Sequence, residues 1–260
     1  MRTERKIKIA ESTWASSWDY SLIIQYGISD RLTADIYIPY RNERWNYYKS
    51  FVSAEYNTLQ EESWDLLGQG FSDISLSARY QLIVESSNLP SVTGTLDVTL
   101  PTGSKNPHNI RSDNEYDLPT GNGVVMFNPE LRVRKINYPF SYLGYVGYLY
   151  HMPGSKIMYV TDEQETDFKY GNRFNAGVSF NFHINDWVAV TNDLNYFSTG
   201  KGEQQNLTAD ELYTKWGIAY EARMVFQVKR VRLAQAVNVP LKGKMISADP
   251  LYVMLVQYTF

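Results

Sequence analysis

The residues best able to act chemically are charges that recur on alternate positions of mixed apolar and polar segments. They are Asp35, Asp73, Arg79, Asp97, Glu130, Arg132, Arg134, Arg173, Asp193, Lys215, Glu221, Arg223 and Arg232. Guanidinium, ammonium and carboxylate groups gathered on one side of a sheet pair with one another and attract or repel small ions. Burying so many of them dry would cost more than their pairing returns, so this side is expected to face water or to be closely ion-paired. Bases slightly outnumber acids in the set, which predicts a weak preference for anions.

Bond-making chemistry has less support. The three histidines are His108 in a long connection, His151 near one end of a segment and His183 near the opposite end of another. None has a serine at an obviously matching register, so a Ser–His hydrolase of the phospholipase or protease kind stands as the alternative reading. There is no Cys, no Cys/His cluster with metal-site spacing and no phosphate-binding glycine loop, and no cofactor is expected. The acidic stretches Asp113, Glu115, Asp117 and Asp162, Glu163, Glu165, Asp167 could hold Ca²⁺ against lipopolysaccharide phosphates, but solvated loop charge explains them as well.

The segments that must position these charges alternate with period 2. From Arg173 to Ile184, Phe174, Ala176, Val178, Phe180, Phe182 and Ile184 share one face, while Arg173, Asn175, Gly177, Ser179, Asn181 and His183 share the other. Lys215 to Val228 repeats the pattern. It can also be read in Tyr20 to Ile28, Leu32 to Tyr40, Ile74 to Val84, Val92 to Leu100, Val125 to Val133, Tyr142 to Tyr150, Val188 to Tyr196, Val231 to Val239 and Tyr252 to Phe260, with a weaker strand at Ile7 to Trp14. Asn192 and Gln235 interrupt the apolar face. The longest segments exceed an ordinary globular strand and suit a tilted strand crossing a bilayer.

Connections alternate between short ones, such as Ser29-Asp30-Arg31 and Asn185-Asp186-Trp187, and long ones, such as Arg41 to Gln69 and Pro101 to Asn122. Short periplasmic turns and long extracellular loops are the layout of outer-membrane barrels. The expectation is therefore an all-β chain: a transmembrane antiparallel β-barrel of about 12 strands, one domain over 1–260, with 1–17 an N-terminal segment or weak first strand. An even strand count would put both termini on the periplasmic side. In the turns Ile28 to Leu32 and Ile184 to Val188 the central aspartates, Asp30 and Asp186, are expected to cap their own backbone. Pairing Val84, Leu82 and Tyr80 with Val92, Gly94 and Leu96 would set Arg79 opposite Asp97, with Asp35 near enough to share the arginine.

Composition agrees with this reading. The chain has 260 residues, 21 Tyr and a formal net charge of −3, and no apolar run is long enough for a membrane helix. No basic run suggests nucleic acid, so none is expected as a partner. The first residues carry charges where a secretory signal would be apolar, and we read the chain as a mature sequence with its signal peptide removed. Tyr252, Met254, Val256, Tyr258 and Phe260 alternate to a terminal Phe, which looks like the strand read by the outer-membrane assembly machinery. That machinery is an expected partner, beside outer-membrane lipid, lipopolysaccharide and a small-molecule solute. Tyr20, Tyr40, Trp187, Tyr196 and Trp216 suit interfacial aromatic girdles.

Two segments carry a resemblance. Gly70, Asp73, Arg79 and Tyr80 open and fill one strand, and Leu100, Pro101, Thr102 and Gly103 end the next. Together with Ile28 to Tyr40, they resemble the outer-membrane channel family of the phenol meta-degradation (MetA) pathway. The resemblance implies a roughly twelve-stranded pore in the Gram-negative outer membrane for passive uptake of small molecules, linked with aromatic catabolism; with the lumen charge it makes small organic or aromatic acids the expected cargo, and no enzyme is expected from the histidines. A plugged structural barrel is a further reading.

Overall fold

The computed structural model describes residues 6–53, 58–105, 110–112, 115–156, 165–204, 214–244 and 250–258. These are almost entirely strand. In chain order they are β1 (Lys6–Gly27), β2 (Leu32–Ser53), β3 (Thr58–Phe71), β4 (Ile74–Ile83), β5 (Ser91–Leu100), β6 (Ile110–Ser112), β7 (Glu115–Asp117), β8 (Met126–Asn137) and β9 (Phe140–His151), followed by β10 (Gly154–Lys156), β11 (Thr166–Lys169), β12 (Arg173–Asn185), β13 (Val188–Thr199), β14 (Glu203–Gln204), β15 (Lys215–Val228), β16 (Val231–Lys244) and β17 (Leu251–Tyr258). Twelve are long, and these pair antiparallel into one sheet.

The turns at one end of this sheet are tight because local side chains satisfy their backbone. Ser29 Oγ accepts from the amides of Arg31 and Leu32, and Asn185 Oδ1 accepts from those of Trp187 and Val188 at 3.0 and 2.8 Å. The capping residue thus precedes Asp30 and Asp186 by one, which corrects the expectation from sequence: the first polar residue of each turn points back at the amides that follow it. Lys229 has a φ of 53°, the left-handed conformation that a two-residue hairpin link between β15 and β16 demands. We call this the turn end of the sheet and the opposite one the loop end.

β3 and β4 lie end to end along one edge of β2, β3 against Tyr40–Ser53 and β4 against Leu32–Tyr37. The twelve long strands therefore make eleven passes. Sequence reasoning divides β1 into two strands; the structure joins them, because residues 15–19, despite their serines, pair with β2 without a break. This changes the parity. β1 starts at the loop end, so Lys6 and Tyr258 lie at opposite ends, not on the same side. Among the described residues β1 pairs only with β2 and β17 only with β16, so these strands form the sheet's two margins and run in the same direction.

One face of the sheet is apolar yet open to the surroundings. Ile36, Leu76, Tyr80, Leu82, Leu131, Val133, Val146, Tyr148, Val178, Leu194, Met224 and Val228 are all exposed on it. Asn192, the polar interruption on this face, accepts a hydrogen bond from Tyr220. Among the described residues buried hydrophobic side chains are few, and Val124, at 2% exposure, is the most enclosed. A water-soluble sheet hides its apolar face, whereas this one displays it over most of its width.

Candidate functional site

The second face carries the polar residues, and strand register stacks them into rows. One row runs Asp35, Ser77, Asp97 and Asn128 across β2, β4, β5 and β8. The next runs Thr33, Arg79, Thr95, Glu130 and Gly147. Toward the turn end, Arg132 opposes Tyr145, and Ser179, Asp193, Glu221 and Asn238 form a row across β12, β13, β15 and β16. Period-2 alternation puts every one of these side chains on the same side once a single pair is aligned.

Within the rows most charges find partners. Arg79 Nη2 donates to Asp35 Oδ2 at 2.5 Å, and Asp35 is 9% exposed. Arg79 faces Thr95, not Asp97. Of the two-residue difference from the expected register, one residue arises in the turn, where Ile83 and not Val84 pairs with Val92, and one at a bulge between Gln81 and Ile83 that takes up Leu82; together they leave both side chains on one face. Asp97 accepts instead from Asn128 Nδ2 at 3.1 Å. Arg132 pairs with Glu130 two positions before it, Arg134 reaches Glu85 at 3.9 Å, and Arg223 pairs with Glu221 and lies 3.9 Å from Asp193. Glu221 also accepts from Asn238. Arg173 donates to Asn175 at 2.7 Å, Lys215 is exposed at the loop end, and Arg232, near the turn end, buries an Nε that has no partner among the described residues.

Asp73 has a different setting. It sits at the break between β3 and β4, where its two oxygens accept the amides of Gly103 at 3.1 Å and Asn122 at 2.7 Å. Thr102 Oγ1 accepts from Ile74 N and donates to the Ser72 carbonyl; Thr120 Oγ1 accepts from Ser104 N and donates to the Phe71 carbonyl. These threonines belong to two copies of Leu-Pro-Thr-Gly, at 100–103 and 118–121, which grip Phe71–Asp73 from two sides. Their glycines touch: a Cβ on Gly121 would lie 2.4 Å from Asp73 Oδ1 and 2.9 Å from Gly103. Sequence reasoning used the first copy and passed over the second, although the repeat itself was the available signal. Beyond this clasp Val124 packs beside Gly154 and Phe168, and Lys105 pairs with Glu165 at 2.8 Å, joining the two loops at this end.

Ser141 Oγ approaches His183 Nε2 to 3.5 Å at the turn end, a proximity that sequence reasoning did not anticipate. That distance is too long for an activated nucleophile, and among the described residues no carboxylate orients the ring. His108, Asp113, Asp162 and Glu163 lie outside the described residues, while Glu115 and Asp117 belong to β7, Asp167 belongs to β11 and Glu165 pairs with Lys105. On β17, Tyr252, Met254 and Val256 alternate on the apolar face at 76%, 68% and 64% exposure, Tyr258 pairs through its backbone with Val231, and Phe260 lies outside the described residues.

No family model matches the sequence. Among solved structures, the chain is similar to the COG4313 outer membrane channel from Pseudomonas putida F1. The TM-score is 0.61 at 12% identity, covering 94% of this chain and 82% of that one. The two share a fold: an all-β antiparallel sheet of about twelve strands.

Proposed function

We propose that the chain is an outer-membrane channel: a β-barrel that spans the lipid with its apolar face outward and admits small solutes along its polar face. One observation carries this reading. A single sheet turns an exposed apolar surface one way and register-matched rows of Asp, Glu and Arg the other, an arrangement that lipid outside and water inside accommodate together. The likeness in fold to a protein described as an outer membrane channel supports it. Closing the sheet brings β1 beside β17, and because both run from loop end to turn end, a direct seam between them is parallel.

The charge pattern favours anions weakly, and small organic acids suit it. Arg173 and Lys215 at the loop end and Arg232 at the turn end have no carboxylate within 4 Å among the described residues, whereas the acid surplus, Asp193 with Glu221 around one Arg223, lies between them. The signal peptide, the assembly machinery as reader of β17, and lipopolysaccharide as neighbour of the loops belong to the same proposal. Planar-bilayer conductance of the purified protein, with and without small aromatic acids, is the test. Stepwise channel openings are expected, and a protein that inserts without conducting would overturn the channel in favour of a plugged barrel.

A further inference from the structure

Arg79, Arg132, Arg134 and Arg223 each have a carboxylate within 4 Å; Arg173, half-buried on the same face, has none among the described residues. Its Nε is spent on Asn175 Oδ1 at 2.7 Å, and its Cζ lies 4.4 Å from the centroid of the Phe197 ring. The two terminal amino groups have no acceptor among the described residues. A guanidinium fixed through Nε and by a ring beneath its plane presents its remaining N–H groups as a rigid fork, the shape that binds a carboxylate through two parallel hydrogen bonds.

The surroundings hold that fork in place. Just before Arg173, Asn172 accepts the amide of His151 through its side chain and that of Gly200 through its carbonyl, at 3.0 and 2.8 Å, which locks the start of β12 between β9 and β13. Gly171 crosses Gly200 so closely that a Cβ would lie 1.9 Å from the Gly200 carbonyl oxygen. Deeper in, Tyr145 donates to Asn195 at 2.8 Å across Gly177, whose missing side chain makes room for the ring. Thr199 stands between Arg173 on β12 and Lys215 on β15, so a second cation lies two strands away, roughly 10 Å at ordinary strand spacing.

We propose that Arg173, fixed by Asn175 and Phe197 and flanked by Lys215, is a binding site for small carboxylate anions at the loop end of the polar face. As the point where solute enters, it rests on the channel reading; as a binding site, it does not. The desolvation of an unpaired guanidinium is offset when a ligand brings the missing charge, and the two free amino groups distinguish a carboxylate from a spherical ion.

The test titrates the full chain in detergent with ¹³C-acetate and follows line broadening of the carboxylate signal, while bilayer currents in KCl are recorded separately. Wild-type protein should broaden the signal, Arg173→Gln should not, and Arg173→Lys, which keeps the charge and loses the fork, should bind roughly tenfold more weakly. Heat-shifted migration on gels checks that each variant is folded; if the Gln variant is not, the comparison with Lys decides. Equal broadening by wild type and Arg173→Gln, or undiminished binding by Arg173→Lys, would overturn the site. Acetate binding without current would leave the site standing and remove the channel; current without acetate binding would do the reverse.

Discussion

Replacing Asp73 with Ala should loosen the loop end without unfolding the sheet. The carboxylate is 6% exposed and accepts the amides of Gly103 and Asn122, so its loss strands two N–H groups. An unsatisfied buried donor costs about 1–3 kcal/mol, and because Asn122 is reachable by water the pair together should cost about 2–3 kcal/mol. The four hydrogen bonds through Thr102 and Thr120 remain, so the cost falls on local opening rather than on the strand ladder. At about 1.4 kcal/mol per tenfold, amide exchange in peptides covering 100–123 should accelerate roughly 30- to 150-fold in Asp73→Ala. Hydrogen exchange read by mass spectrometry in detergent micelles measures this directly. Asp97→Ala is the control, since Asp97 is bonded only to the Asn128 side chain among the described residues. Unchanged exchange in the Asp73 variant, or the same acceleration in the control, would refute the clasp as the anchor of this segment.

Other outcomes follow from the same geometry. Unboiled protein in detergent should migrate differently from boiled protein on gels, because a closed barrel has no free edge from which to unzip; identical migration together with solubility in the absence of detergent would remove the barrel. Arg79→Ala leaves the carboxylate of Asp35 enclosed without its cation and should destabilise by about 1–3 kcal/mol, discounted because Arg79 is partly exposed, and adding Asp35→Asn should restore part of the loss; denaturant unfolding of the two variants checks it. Asp65 on β3 has its carboxyl held below the ordinary aspartate range by the Asn46 amide and the Arg44 guanidinium, so the stability it contributes is present above that range and lost as pH falls through the lowered value; NMR titration should find the carboxyl moved upward in Asn46→Ala. Reversal potentials in a salt gradient should move toward cations more in Lys215→Glu than in Arg132→Glu, since Arg132 already has Glu130 beside it.

How much of this was legible depends on the range over which each feature is fixed. The two faces could be read because alternation is local: Asp35, Arg79, Asp97, Glu130, Arg132 and Asp193 lie on one face in the structure as in the sequence. Depth was harder. The turn before Val92 and the bulge at Leu82 each displace β4 by one residue against β5, so the pair slides it by two without changing its face, and nothing in the composition of Gln81-Leu82-Ile83 announces it. The setting of Asp73 was not legible, because its partners Gly103 and Asn122 are 30 and 49 residues away and meet it only when two loops converge. The length of β1 was missed for the opposite reason: Ala15-Ser16-Ser17 looks like a connection in composition, but continuous pairing with Trp45, Arg44 and Glu43 keeps it extended.

The same distinction bears on selectivity. Counting charges along the polar face treats each as an independent contributor, whereas register decides which of them cancel. Arg132 and Arg134, prominent in the sequence, are matched by Glu130 and Glu85, and Arg223 stands between two acids. Among the described residues of the polar face, the cations with no carboxylate within 4 Å are Arg173 and Lys215 at one end and Arg232 at the other. In the proposed channel a solute anion would meet attraction at each mouth and an acidic girdle around Asp193 and Glu221 between them. Attraction at the ends raises local anion concentration, while the middle limits how tightly an anion is held along the path. Removing the middle acids should therefore sharpen anion preference more than adding another arginine at the rim, because the girdle is where an anion is least favoured and rim charge is screened within about 8–10 Å at ordinary salt.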